Sequence, residues 1–239
     1  MTIKKSLFIA AFMLLATTMA NAAKKTIYKP WSNGKLKVSA NQRYLIHENG
    51  TPFFWLGNTA WLLPERLNRD EAEYFLAKER ELGYNVEQIQ VLNAIPTFNV
   101  YGQQANNKEF DFSKVSKPGV YGYWEHLDYI IDRAADNGIY IAMDCIWGSM
   151  IGQMDVKKAV AYGKFLGERY KDKPNIIWMI GGDILGDKSP EVWDALARAI
   201  KKYDNRHIMT FHPRGRTTSA RWFNDREWMD FNMFQSGHR

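Results

Sequence analysis

The stretch IIWMIGGDILGD, residues 176–187, runs an apolar segment directly into two glycines and a carboxylate. Its opening residues are typical of a buried β-strand, because they are rich in β-branched and aromatic side chains. Gly181 and Gly182 weaken a strand, but they permit a tight departure from it and let a ligand approach the backbone closely. Asp183 is therefore predicted to project from a rigid base at the end of a strand.

Similar apolar runs recur along the chain, and segments of helical period separate most of them. The six runs span residues 52–57, 85–92, 139–146, 176–180, 207–211 and 229–234. Alternating β and α units favour a parallel sheet. An open doubly wound sheet is the competing fold, but the Gly-rich dinucleotide or phosphate fingerprint typical of it does not follow the first run. We predict an α/β fold, an incomplete (β/α)8 TIM barrel with about six of its eight βα units.

The helices between the runs are marked by their ends. Asn68 and Glu71 form a capping-box pattern, and Gly83 closes the helix that they begin. Ser189 is predicted to cap another helix, with a proline at its first position. Further helices are predicted over residues 124–138 and 155–174, with a short one over 219–226.

The N-terminus is predicted to be a signal peptide, residues 1–22. Lys4 and Lys5 precede a short apolar run, and a small-residue cleavage pattern follows it. Because the run is too short for a membrane span, we expect a periplasmic or secreted mature chain with no transmembrane span. Residues 23–52 form a lead-in with a β-hairpin at the Asn-Gly pair 49–50, and residues 53–239 form the partial barrel.

Composition narrows the classes of function. A chain of 239 residues with 46% hydrophobic residues can bury a sizeable core, and its one cysteine, Cys145, excludes an internal disulfide. Loss of the two signal-peptide lysines lowers the net charge from +6 to +4. The basic residues are scattered and the chain is predicted to be exported, so we expect no nucleic-acid partner and at most weak attraction to anionic polymers such as pectins.

The predicted strand ends carry an unusual set of polar and aromatic side chains. In parallel barrels these ends meet on one face, where the chemistry collects. Singly, each has an ordinary explanation as a core residue or a helix cap. Together they suit a saccharide site, which needs ring faces beside carboxylates and amides. The set is Asn58, Trp61, Asn93, Asp144, Trp147, Asp183, His212, Arg214, Gln235 and His238.

Two features of this set leave alternatives open. Asp183 suits a general acid whose pKa Trp178 and Met179 would raise if they crowded it, but it could also cap the next segment or bind a cation with Asp187. The long aromatic loop over residues 93–123 either walls a cleft or is a surface loop pinned by its own aromatics.

Four separated segments resemble the apiosidase-like family of bacterial glycoside hydrolases, formerly a domain of unknown function. They are FFWLGNTAWLL, WMIGGDI, FHPRGRTTSA and MDFNMFQSGH, in the family's order. The resemblance implies a (β/α)8 barrel of a retaining clan that acts on plant cell-wall polysaccharide, some members releasing apiose from rhamnogalacturonan II. It also implies that Asp183 is the acid/base. Many relatives resemble LGDTAW where this chain has Asn58, which is expected to weaken sugar contacts.

The resemblance also implies a glutamate nucleophile at the end of strand seven, whereas this chain ends after its sixth predicted strand. Asp144 is the in-chain carboxylate closest to the predicted mouth, and we expect it to hold hydroxyls or orient another residue. A truncated, non-catalytic sugar-binding protein is the alternative. A metal-dependent hydrolase built on Asp144, Asp183, His212 and His238 is a third, but neither HxH nor HExxH occurs, so we predict no metal and no cofactor.

Overall fold

The computed structural model describes residues 26–112, 115 and 119–237. The predicted signal peptide and His238 lie outside these residues. The described chain begins with a short 3-10 helix, Pro30–Asn33, and a three-stranded antiparallel sheet. Its strands are β1 (Leu36–Val38), β2 (Leu45–His47) and β3 (Pro52–Phe53). The Asn49–Gly50 pair lies in the turn between β2 and β3, where Gly50 adopts a φ of 91°.

A five-stranded parallel sheet follows, and its spatial order matches the chain order. Its strands are β4 (Gly57–Thr59), β5 (Val86–Gln90), β6 (Tyr140–Asp144), β7 (Ile176–Ile184) and β8 (Met209–Pro213). The prediction of a first parallel strand over residues 52–57 is wrong, because Pro52 and Phe53 pair with β2 instead. The first parallel strand begins only at Gly57. Just before it, the Asn85 side chain accepts the Leu56 N–H and donates to the Phe54 carbonyl.

The predicted sixth parallel strand is also wrong. A two-stranded antiparallel pair, β9 (Thr217–Thr218) and β10 (Phe234–Gln235), takes up the end of that run. The rest of the run lies beside β8 without forming a ladder. Asp230 Oδ2 accepts the Met209 N–H at 2.7 Å, and the Thr210 hydroxyl donates to the Phe231 carbonyl at 2.7 Å. The Asp230 N–H also donates to the Met209 carbonyl at 2.9 Å, so this segment contacts β8 through one backbone bond and two side-chain bonds instead of a regular ladder.

Within the described ranges, six α-helices connect these strands, and most follow the predicted ends. They are α1 (Leu63–Arg66), α2 (Arg69–Leu82), α3 (Tyr123–Asp136), α4 (Val156–Tyr170), α5 (Pro190–Tyr203) and α6 (Ala220–Phe223). The Asn68–Glu71 capping box is formed, and Gly83 ends α2 in a left-handed conformation. Ser189 is not a side-chain cap: its φ is 53°, whereas an N-cap needs an extended backbone, and only its carbonyl accepts helix N–H groups.

The parallel sheet separates two apolar clusters, and this fixes which side chains can reach a site. Side chains alternate along each strand, so one set faces the helices and the other faces the concave interior. The interior is filled by Val86, Ala142, Ile177 and Met179. Phe53 of the N-terminal sheet packs in the same cluster. Residues farther along the same inward faces are therefore directed toward the mouth. No described helix has the length and hydropathy that a membrane crossing requires.

Candidate active site

A bulge at the end of β7 places Asp183. The β7–β8 ladder runs in register to Gly181 opposite His212 and then resumes with Ile184 opposite Pro213. Gly182 and Asp183 are thus two extra residues on β7. Gly181, Gly182 and Asp183 have φ values of 113°, 107° and 50°, a left-handed run that glycine accommodates readily. The backbone bulges out of the ladder here, and Asp183 is exposed although Gly181 and Gly182 are buried.

The two glycines also make room for neighbouring groups. A Cβ on Gly182 would lie 2.6 Å from Cε3 of Trp147, and a Cβ on Gly181 would lie 2.5 Å from the His212 carbonyl oxygen. The Trp147 ring therefore packs directly on the β7 backbone beside Asp183. This close approach explains why the strand ends in two glycines.

Three rings surround the bulge. The ring centroids of Trp61 and Trp147 are 5.5 Å apart, and those of Trp61 and His212 are also 5.5 Å apart. Trp147 and His212 complete the set at 5.9 Å. The Asp183 N–H donates to Nδ1 of His212 at 3.3 Å, so in the neutral ring the proton is on Nε2. The backbone of the carboxylate residue and the imidazole are thereby tied together.

These groups line one cavity of about 350 Å³, within the range of roughly 300–1,000 Å³ that ligand pockets occupy. Of the predicted site residues, the structure brings Trp61, Trp147, Asp183, His212 and Gln235 together here. Thr59 and Gln88 also line the cavity and were missed. The alternation of β5 could have found Gln88, because it lies two residues beyond the inward-facing Val86.

A family model for the apiosidase-like catalytic domain matches residues 39–239. The chain belongs to the apiosidase-like family. A glycoside hydrolase family 5 protein from Bacteroides vulgatus is 64% identical with a TM-score of 0.88, over 90% of this chain and 47% of its own. Another solved glycoside hydrolase is 64% identical with a TM-score of 0.87, over 89% of this chain and 48% of its own. This apiosidase-like chain thus spans about half the length of these relatives.

More distant structures share only the fold. The catalytic domain of a Thermobifida fusca endoglucanase, solved with cellotetraose, is 15% identical with a TM-score of 0.55, over 79% of this chain and 57% of its own. No functionally curated protein matches the sequence. The apiosidase-like chain therefore has the mixed α/β fold, with a parallel sheet, of glycoside hydrolase family 5 proteins.

Asn58 does not line the cavity of the apiosidase-like chain. It lies on the opposite face of β4 from Thr59, and its amide donates to Glu79 Oε2 at 3.0 Å. Glu79 is 6% exposed and lies on α2, between the sheet and the solvent. The expected sugar contact at position 58 is replaced by a strand-to-helix hydrogen bond, because neighbouring strand residues point to opposite faces.

Asp144 is fully buried and does not line the cavity. It is the last residue of β6, pairs with Met179 of β7, and has an exposed fraction of 0%. Burial raises its pKa well above the ordinary value, the nearby Asp183 carboxylate raises it further, and a hydrogen bond from the Ile146 N–H opposes both. The structure therefore does not include Asp144 among the residues that line the cavity.

Asn93 and Arg214 are also outside the cavity wall, and neither position supports the predicted sugar contact. Burial raises the pKa of Glu65, and a hydrogen bond with the Asn93 side chain opposes that shift, so Asn93 serves the buried end of α1. Arg214 is exposed just beyond β8, with its N–H bonded to the Ile184 carbonyl.

The expected crowding of Asp183 by Trp178 is wrong. The Trp178 side chain faces the helices, and its indole N–H donates to Asp204 Oδ2 at 2.8 Å. Met179 faces the interior below the cavity. Because Asp183 is carried past the ladder by the bulge, it lies beside Trp61 and Trp147 instead.

The long loop over residues 93–123 is held in place by its own aromatic side chains, which is the second of the two alternatives given for it. Phe110 and Phe112 are buried, and the Phe112 ring stacks on Phe165 of α4 with centroids 4.2 Å apart. Tyr101 accepts the Arg69 N–H at 3.0 Å at the start of α2. None of the described loop residues lines the cavity.

Two other possible sites in the described ranges lack suitable groups. A larger cavity of about 730 Å³ lies between residues 38–45 and 224–232. Its one carboxylate, Asp230, is engaged by Lys201 Nζ at 2.5 Å and by the backbone of β8. The described ranges contain no group of three His, Cys, Asp or Glu side chains suited to a metal ion, and His238 lies outside them.

Proposed function

We propose that this chain is part of an exported glycoside hydrolase that cleaves plant cell-wall polysaccharide, foremost the side chains of pectin. Asp183 serves as its acid/base. The observation that supports this is the cavity in which an exposed carboxylate lies beside Trp61, Trp147 and His212. Aromatic rings provide flat apolar surfaces for a sugar ring, and a carboxyl group on a rigid strand end can protonate the departing glycosidic oxygen.

The proposed reaction follows the retaining mechanism. Asp183 donates a proton to the leaving oxygen while a second carboxylate attacks the anomeric carbon, and Asp183 then deprotonates the water that releases the sugar. The two carboxyl groups of such enzymes lie about 5–5.5 Å apart. Asp144 does not suit the second role, because it is buried and outside the cavity wall.

We assign the nucleophile to further βα units that complete the barrel. Two observations support this assignment. In the described sheet β4 forms a ladder only with β5 and β8 only with β7, apart from the bonds between Asp230 and Met209, so the sheet does not close into a barrel. The solved relatives at 64% identity are about twice as long as the part that matches this chain. Export is supported by the basic start, the apolar run and the cleavage pattern of the N-terminus.

The test compares the 239-residue chain with a chimera in which the remaining half of the Bacteroides vulgatus relative follows it. Both are assayed on pectin-derived oligosaccharides by release of reducing sugar. In the active protein, Asp183→Asn is expected to lower kcat by about 10²-fold or more, since it removes the proton donor. Asp187→Asn is the control, because Asp187 is exposed and outside the cavity wall. Equal turnover by Asp183→Asn and the parent refutes the acid/base role.

A non-catalytic sugar-binding protein is the second candidate. One observation favours it: of the described residues, Asp183 is the single carboxylate in the cavity wall. Saturable binding of oligosaccharide by the 239-residue chain and by the chimera, with no release of reducing sugar by either, supports this candidate over the hydrolase.

A further inference from the structure

Two amide side chains in the cavity wall are unusual. Oε1 of Gln88 and Oε1 of Gln235 are each buried from solvent and have no hydrogen-bond partner among the described residues. Both residues line the cavity that contains Asp183. Buried polar atoms in folded proteins almost always have a partner, and one left without a partner destabilises the fold. Two of the unpartnered oxygens among the described residues thus belong to side chains of this cavity, and each amide can gain a partner when it turns toward a ligand there.

Packing alone does not explain a glutamine at position 88. Thr59 and Ala142 flank it across the sheet, and its inward-facing predecessor Val86 belongs to the apolar interior. The Gln88 carbonyl accepts the Ala60 N–H at 2.9 Å, so the unpartnered oxygen is that of the side chain. An apolar residue here would continue the interior without an unpaired polar atom.

Gln235 reaches the cavity from a different element. Its backbone is held in the β9–β10 pair, where its carbonyl accepts the Arg216 N–H at 2.7 Å. The side chain is therefore presented by a fixed backbone, as Gln88 is by β5. Neither amide depends on a flexible segment of the described chain for its position.

We propose that Gln88 and Gln235 form a hydroxyl-binding subsite for the sugar ring that contacts Trp61 and Trp147. The inference rests on the proposed function, and it adds the polar contacts that orient the ring toward Asp183. An amide offers an acceptor oxygen and a donor nitrogen, which matches a hydroxyl group that can donate and accept. If either amide is rotated by half a turn, its NH2 group takes the same place and still requires a hydroxyl. The ligand is a sugar whose hydroxyls at this subsite are free of acyl or alkyl groups.

The test measures quenching of tryptophan fluorescence by pectin-derived oligosaccharides, with Trp61 and Trp147 as reporters. Gln88→Met keeps the length of the side chain and removes the amide. It is expected to weaken binding by about 10-fold, and to leave Tm unchanged or raise it, since an unpaired polar atom is removed. Gln88→Asn retains an amide one methylene short and is expected to weaken binding similarly. Gln90→Met is the matched control, because Gln90 shares the strand and the face but does not line the cavity.

The titration is repeated with oligosaccharides whose hydroxyl groups have been chemically acetylated. Acetylation is expected to abolish the binding that Gln88 supports. Binding by Gln88→Met within about twofold of the parent overturns the inference, as does a fall in its Tm with binding unchanged per folded molecule. Absence of saturable quenching in the parent overturns it as well. If Asp183→Asn retains turnover while Gln88→Met loses binding, the acid/base proposal fails and the subsite stands. The reverse pattern removes the subsite alone.

Discussion

Gly182→Ala tests the role of the glycine pair most directly. Gly182 has a φ of 107°, which L-residues rarely adopt. The added Cβ would lie 2.6 Å from Cε3 of Trp147 and 3.0 Å from the backbone nitrogen of Gly148. The Trp147 ring cannot easily retreat, because Trp61 and His212 pack against it.

Two costs add at this position. A non-glycine residue in a sparsely populated backbone region costs about 1–3 kcal/mol. Forcing a further carbon into a packed region costs about another 1–3 kcal/mol. We therefore expect Gly182→Ala to lower the free energy of unfolding by about 2–6 kcal/mol. For a chain of this length that corresponds to a fall in Tm of roughly 5–20 °C.

The assay is thermal unfolding with a matched variant, followed by the fluorescence titration. Gly152→Ala is the control, since a Cβ there meets no atom within 4 Å and Gly152 lies in the 3-10 helix that follows Trp147. Its effect is expected to stay within about ±0.5 kcal/mol. Folded Gly182→Ala is expected to bind oligosaccharide more weakly, because Trp147 and Asp183 are displaced together. Equal Tm and equal binding in the two variants would refute the packing argument.

Two further predictions concern buried carboxyl groups away from the cavity. Burial raises the pKa of Glu87 to about 8 and Glu79 adds to the rise, so the folded state binds this proton more tightly than the unfolded state, where the ordinary value is 4.5. Stability is expected to fall as pH rises from about 4.5 to 8, and urea titrations of Glu87→Gln should lose that part of the fall. Burial would raise the pKa of Asp204, but hydrogen bonds from His207 and Trp178 outweigh it and lower the pKa. The stabilisation by Asp204 is thus present at neutral pH and lost as pH falls below about 4. Asp204→Asn is expected to lower the free energy of unfolding by about 1.5–3 kcal/mol at pH 7 and by less in acid. Acid sensitivity of the variant equal to that of the parent would contradict this.

Local signals predicted much of the scaffold. The capping box at Asn68 and the glycine at position 83 fix α2 from within a few residues of its own sequence. The first and last parallel strands were predicted wrongly because the strand character of a segment does not identify the partner with which it pairs. Pro52 and Phe53 have strand-forming character but pair with the nearby β2, and Asp230 bonds the Met209 backbone through both its N–H and its side chain without starting a ladder.

Residues of the site could be predicted by combining the positions of the strand ends with the alternation of side chains along each strand. Counting back by twos from Trp61 reaches Thr59 and leaves Asn58 on the helix side, where it bonds Glu79. The same count on β5 reaches Gln88. Burial depth was not predictable in this way, because whether an inward-facing residue is in the core or at the mouth depends on how far each neighbouring strand extends.

Asp144 and Asp183 show what the bulge contributes. Both follow apolar strands, and the two strands are neighbours in the sheet. Asp144 ends a regular ladder opposite Met179, so it is buried and its pKa is raised by that burial and by the Asp183 carboxylate. Asp183 is the second of the two extra residues in the β7 bulge and is exposed in the cavity wall. A nucleophile must reach the anomeric carbon, whereas Asp144 is fully buried and does not line the cavity. The two extra residues of the bulge thus separate a buried carboxyl group from one that lies in the cavity wall, where the proposed proton transfer requires it.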